Sequence, residues 1–466
     1  MTNRLITLSL LLLPMLGLAG TASWAQLTNS FTTSKPAELK ALQSGVTIKP
    51  ILTVGDKLST GYQMAATPDG LGAFDNGNGT MTVLMNHELS RVDGENLTNS
   101  RVSRLVIDKK NLNVLSGQYL IKGTEGYHRL CSATLVGQRE NFNSNLFLTN
   151  EEATDSKFGG ISVAVNPQTG QRTNLPWIGH FSHENTHAIP GYNKIVIVST
   201  EDSAPGFLWM YIAQNQADLL AGRGQLYVFK AKGGSTPADI SKNKSLTGSF
   251  IPITQQENKN ATTLRAAAEA KKAMVFVRLE DVAYSTNDPK TLYFAGTGNS
   301  DFLNPATNKP YNAKGRIHTI KLDPSDPTKV LSLRAILDGD AGDNILNPDN
   351  LATSDKSLMI QEDLNEEFRG KRTARVLRYD FRTKRIIPVA QLLQKDFKGK
   401  PIPNDIPGDW ESSGIINMTN ITGPDTWLLD VQAHTLKVNQ FGGQDEGGQL
   451  LLMTIPNSAT QLPVKQ

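Results

Sequence analysis

The chain has a single cysteine, Cys131, among 466 residues, which excludes an internal disulfide. That thiol is either a buried apolar residue or a soft metal ligand. Beyond the N-terminal leader no apolar run is long enough to cross a bilayer. A formal net charge of +3 leaves no electrostatic reason to expect a nucleic-acid partner. There is no phosphate loop, Gly-x-Ser-x-Gly elbow, Cys-x-x-Cys pair or EF-hand loop, so those chemistries are set aside. Helix-type heptads are also missing, and hydrophobic content is only 38%.

What is present begins with an export signal. Arg4 precedes the apolar run Leu5 to Leu18, and Ser23-Trp24-Ala25 offers small residues at both positions a signal peptidase reads. Residues 1–25 are expected to be a secretion signal, 26–50 an irregular lead-in and 51–466 one domain. The mature protein is expected in the periplasm or outside the cell, with no membrane span left, as a monomer. Its leader has no paired arginines, so it is expected to cross unfolded.

Glycine (39) and proline (23) punctuate strand–turn–strand units. Ser103 to Asp108 leads through Lys-Lys-Asn into Leu112 to Leu115, and Ala374 to Tyr379 leads through Asp380-Phe-Arg-Thr-Lys into Ile386 to Val389. Units recurring every 50 to 75 residues or so predict an all-β fold, a single β-propeller of about six blades. A large sandwich or a pair of β domains competes. Short helical insertions are expected at Gln214 to Ala221 and Asn260 to Lys272.

Acidic residues and histidines fall in short clusters beside these strands. They are Asn86-His87-Glu88, Glu151-Glu152, Ser182-His183-Glu184-Asn185, Glu201-Asp202 and Arg278-Leu279-Glu280-Asp281, then Pro348-Asp349-Asn350-Leu351, Gln361-Glu362-Asp363, Asp409-Trp410-Glu411 and Gln432-Ala433-His434. Each alone reads as a turn, a cap or a core histidine. Together, at equivalent strand ends of a propeller, they would converge on one channel, where many carboxylates require cations. Calcium is the default for oxygen ligands, and Cys131 among them adds a transition metal. Strand alternation puts Arg278 and Glu280 on one face, either as a structural ion pair or as an anion clamp beside a metal ligand. Asp338-Gly-Asp340-Ala-Gly-Asp343-Asn344 is either a calcium loop or a plain turn.

In order along the chain, Asn86-His87-Glu88, Cys131, Glu151-Glu152, Phe181-Ser182-His183-Glu184, Thr200-Glu201-Asp202, Arg278-Leu279-Glu280, Pro348-Asp349-Asn350-Leu351, Gln361-Glu362-Asp363 and Val431-Gln432-Ala433-His434 resemble the PhoX-type alkaline phosphatases. The resemblance covers most of the mature chain. It implies a six-bladed propeller with iron and calcium in its channel, hydrolysing small phosphate monoesters outside the cytoplasm. On that pattern Cys131 would be an iron ligand, Glu280 and Glu184 metal ligands, and Arg278 the holder of the substrate phosphate. Asp349 and Glu362 would be calcium-side ligands, with Glu88 and Glu151 further candidates. The alternatives are a calcium-only propeller hydrolase, phytase-like or lactonase-like, and a non-catalytic exported binding propeller.

Overall fold

Alternation along the chain shows how each sheet finds its two faces. In Arg101–Asp108, Leu105 and Ile107 are buried while Arg104, Val106 and Asp108 are half-exposed. The strand ends where Asp108 accepts the N–H groups of Lys110 (2.8 Å) and Asn111 (3.1 Å). Asp380 turns the chain the same way, accepting from Arg382 (3.1 Å) and Thr383 (2.7 Å). Carboxylates that hydrogen-bond two residues ahead supply tight turns without glycine.

This computed structural model describes residues 30–90 and 96–456. The leader expected over residues 1–25 lies outside the described residues. The fold is all-β, with three short α-helices among the described residues. One four-stranded antiparallel sheet runs Pro68–Asp75, Thr80–His87, Arg101–Asp108, Val114–Ile121. A second runs Leu130–Val136, Leu146–Glu151, Ser162–Val165, Arg172–Leu175. A nine-stranded sheet starts at His183–Ala188 and ends at Leu279–Tyr284, its halves joined where Leu246–Ile253 pairs with Lys329–Asp338. A further sheet runs Pro348–Thr353, Ser357–Glu362, Arg375–Asp380, Ile386–Leu392, and the last contains Ile415–Asn417, Thr426–Gln440 and Gly443–Thr454.

Pro68–Asp75 lies against Leu130–Val136, which lies against His183–Ala188; contacts continue through Leu279–Tyr284, Pro348–Thr353 and Ile415–Asn417, back to Pro68–Asp75. Six strands therefore close a ring, a propeller-like arrangement. Apolar clusters fill the wedges between successive sheets. Leu84, Val102 and Ile121 meet Phe147 and Val163 in one. Val196, Val198 and Met210 meet Val282, Phe294 and Ile320 in another, so the halves of the nine-stranded sheet face each other.

The lead-in expected to be irregular contains strands. Leu39–Ala41 pairs with Ile386–Leu392, and Thr47–Thr53 pairs with Gly443–Thr454, so the N-terminal segment completes the sheet that the C-terminal hairpin begins. Its buried Ile51 and Leu52 recruit it to the core. The second helix is Ala261–Ala270, capped by Asn260, whose side chain accepts from the Thr263 N–H at 2.9 Å.

Leu52 is fully buried opposite Leu450 in this closing strand. Leu52→Ala should lower unfolding stability by about 2–5 kcal/mol, the usual cost of a leucine-sized core deletion. Urea denaturation of the mature chain measures this, and a loss well under 1 kcal/mol would show that the closing strand is not part of the cooperative core.

Candidate active site

Five inner strands open with the same local structure. They begin Pro68-Asp69-Gly70, Leu130-Cys131-Ser132, His183-Glu184-Asn185, Leu279-Glu280-Asp281 and Pro348-Asp349-Asn350. In each, the ladder to the next strand shifts register across that triplet. A bulge at this place re-aims the second side chain away from ordinary alternation. Four of the five residues just before these strands are left-handed: Thr67 (φ 51°), Arg129 (48°), Arg278 (48°) and Asn347 (46°). The carbonyl of each preceding residue accepts one N–H from beyond the neighbouring strand. Glu88 donates to Thr67 (2.8 Å), Glu152 to Arg129 (2.9 Å), Asp202 to Ser182 (3.1 Å), Thr297 to Arg278 (2.9 Å) and Asp363 to Asn347 (3.0 Å). Each unit thereby brings two side chains to the same end of the ring.

The result is a continuous run of four groups, each with ligand atoms within 4.8 Å of one another: Asp69–Glu88–Cys131, Cys131–Glu152–Glu184, Glu184–Glu280–Asp349 and Asp349–Asp363–Glu411. They could hold metal ions. The Cys131 thiol donates toward Asp69 Oδ2 (3.3 Å) and Glu184 Oε1 (3.4 Å), and Ser132 Oγ donates to Glu184 at 2.6 Å. Burial and then neighbouring carboxylates push the acids up: Glu88 and Glu411 act on Asp69, Glu280 on Glu184, Asp202 on Glu280, and Glu184 on Asp349. Burial raises Glu411 to about 7. Burial and Asp69 push the Cys131 thiol up as well.

Two arginines stand among these acids. Arg278 meets Asp202 through Nε (3.0 Å) and Nη2 (3.1 Å), Glu280 through Nη2 (2.9 Å) and Asn365 through Nη1 (2.8 Å). Arg278 and Glu280 do come together, but not because a strand puts alternate residues on one face. Arg278 precedes Leu279–Tyr284, and its left-handed backbone turns it back toward Glu280. Arg129 meets Glu152 at 2.5 Å and Glu88 at 3.3 Å. Burial alone would raise Asp202, but the Arg278 guanidinium holds it below the usual carboxylate range. On the helix Ala261–Ala270, Arg265 reaches Glu201 at 2.5 Å and Ser203 at 3.0 Å, bracing the loop that carries Asp202.

Of the residues singled out from sequence, Glu88, Cys131, Glu184, Glu280 and Asp349 lie in the four groups, with Arg278 beside them. Glu151 and Glu362 do not. Glu151 accepts the N–H groups of His128 (3.0 Å) and Gly160 (3.2 Å). Glu362 is enclosed by Arg372 (2.7 Å), Arg375 (2.9 Å) and the Leu346 N–H (3.1 Å). Their sequence neighbours Glu152 and Asp363 occupy the groups instead. Asp69 and Arg129 were also missed, and Glu411 was counted only in a cluster and not as a ligand; the signal for Asp69 was the match of Pro68-Asp69-Gly70 to Pro348-Asp349-Asn350. The Asp338 loop is a plain turn: Asp340 accepts Ala313 and Lys314 N–H groups, and Asp343 pairs with Lys242. His87 and His183 are buried on backbone carbonyls and serine hydroxyls.

Groups whose folded pKa is raised stabilise the fold below their unfolded pKa, and that contribution is lost as pH rises through the folded value. Chelated protein should therefore lose thermal stability as pH rises above about 4, through Asp69, Glu184, Glu280 and Asp349, and through Glu411 at about 7. Calcium should reverse this, raising Tm more at pH 8 than at pH 5 in calorimetry. A Tm indifferent to calcium at pH 8 would show that the acids do not bind it.

A family model for alkaline phosphatase PhoX matches residues 123–391, more than half of the chain. No curated protein matches. Among solved structures, Pseudomonas fluorescens PhoX in complex with vanadate, a transition-state analogue, has a TM-score of 0.63 at 15% identity, covering 91% of this chain and 97% of that one. Fainter likenesses reach a luciferin-regenerating enzyme (TM-score 0.38, 10% identity, 89% and 96% covered) and Trypanosoma rangeli sialidase (0.39, 11%, 89% and 60%). The family match and the fold agree, and the chain belongs to the alkaline phosphatase PhoX family.

Proposed function

We propose that the protein is an exported, metal-dependent phosphomonoesterase that releases phosphate from small organic esters. The observation that carries this reading is the run of eight carboxylates and one thiol, with two guanidinium groups beside it. The leader supports export to the periplasm or the medium, where the chain would act as a monomer. Its six inner strands and wedge-filling clusters support six blades, counting the nine-stranded sheet as two.

The donor set fits the implied metals. Two guanidinium groups cannot balance eight carboxylates, and hard oxygen donors suit calcium. Cys131 sits between two groups and adds a soft donor, which favours iron beside calcium over the calcium-only alternative. On this reading Cys131, Glu152 and Glu184 would hold the iron side, while Glu280, Asp349, Asp363 and Glu411 would hold the calcium side. Bound cations would supply Lewis acidity toward the phosphoryl oxygens. Arg278 is fixed by Asp202 and Asn365, so it meets the phosphoryl group without losing rotamer freedom at that moment. Ser132 donates to Glu184 and accepts from the Asn350 side chain at 2.8 Å, which holds Glu184 in place.

The mature chain loaded with calcium and iron should hydrolyse 4-nitrophenyl phosphate, with activity falling to background after chelation. Arg278→Ala should lower kcat/KM by about 10²–10³-fold, as for loss of one transition-state donor. Turnover of wild type no faster than that of Arg278→Ala would remove the phosphatase reading.

A further inference from the structure

We propose that Arg129 is a second arginine that binds the substrate's phosphoryl group together with Arg278, an inference that rests on the phosphatase reading above. The two arginines have the same backbone address. Each precedes an inner strand, each is left-handed at φ 48°, and each carbonyl accepts the N–H of the residue following the neighbouring strand at 2.9 Å. Each stands two residues before a member of the four groups, Cys131 or Glu280. The fold thus presents two guanidinium groups from two of its units by one device.

They differ in what they have left to offer. A guanidinium carries five N–H donors. Arg278 directs three at Asp202 and Asn365 and stands 2.9 Å from Glu280, and its side chain is 24% exposed. Arg129 directs two at Glu88 and Glu152 and is 42% exposed, so among the described residues three of its donors have no partner. The more open cation of the pair is therefore the one not expected from sequence.

Their positions are linked. Glu88 belongs to the group on one side of Cys131 and Glu152 to the group on the other, and Arg129 bridges both. Asp202 acts electrostatically on Glu152 and in turn grips Arg278 through both oxygens. The sequence of neighbours Arg129–Glu152–Asp202–Arg278 links the two guanidinium groups along the acidic run. A phosphate monoester dianion has three terminal oxygens and two charges to share between them. A diester has two terminal oxygens and one charge, and gains less from a second arginine. Arg129 accordingly contributes to the preference for monoesters.

The test uses the metal-loaded mature chain with Arg129→Ala and Arg129→Lys. Inorganic phosphate binding is read by calorimetry, turnover of 4-nitrophenyl phosphate and of bis(4-nitrophenyl) phosphate by kinetics, and metal content by elemental analysis. Arg129→Ala should raise the phosphate Kd and the monoester KM about 10–100-fold, as expected for lost charge-assisted hydrogen bonds, with metal content kept. The diester KM should rise by a smaller factor. Arg129→Lys keeps the charge but loses the fork and should fall between; it decides the matter if the alanine variant does not fold. An unchanged phosphate Kd in the variants, or a rise matched by loss of metal in both, would overturn the inference while wild-type activity leaves the phosphatase reading standing. Failure of wild type to bind phosphate or turn over the monoester would overturn both.

Discussion

Like-charge repulsion among buried carboxylates is the constraint on which the rest of this molecule depends. Eight carboxylates and a thiol crowd one end of the ring, most of them removed from water. Left alone, such groups take up protons or push the structure apart. Arg129 and Arg278 answer part of that charge, Arg129 held by Glu88 and Glu152 within the run and Arg278 by Asp202 beside it. The remainder calls for cations. On the phosphatase reading, attraction of a dianionic substrate to this acidic run would come from cations and guanidinium groups rather than from the net charge of the side chains.

The backbone meets this constraint with a repeated device. A bulge and one main-chain hydrogen bond recur at five inner strands, and a left-handed residue precedes four of them. Left-handed conformation is unfavourable for a β-branched residue such as Thr67 and persists only when neighbours over-determine it. Here the recurrent N–H to carbonyl bond does so. Preorganised side chains need no reordering when charge develops on a phosphoryl group, which is why a rigid ring of strands suits the chemistry of this family.

Much of this was legible in the chain. Asp108 and Asp380 announced their turns, and Asn260 its helix, because those effects are local. The acidic clusters were visible too, but which member of each cluster enters the site was not. Glu151 and Glu152 are adjacent, yet one caps a loop and the other faces Cys131; Glu362 is enclosed by arginines while Asp363 joins the run. One residue of register along a strand exchanges faces, and bulges break even that rule. Asp69 was hidden because Pro-Asp-Gly reads as an ordinary turn. Arg278 and Glu280 were paired for a reason that the left-handed φ of Arg278 replaces.

The sequence by itself determined the all-β class, the strand–turn rhythm, the set of acidic clusters and the family likeness, since these follow from short-range patterning and from residue order. Only the tertiary structure decided that Thr47–Thr53 completes the last sheet, that Glu152, Asp363, Asp69 and Glu411 join the acidic run, and that Arg129 and Arg278 are counterparts. Those facts depend on residues hundreds of positions apart meeting at one end of a closed ring, and on bulges and a positive φ that no alternation of apolar and polar residues encodes.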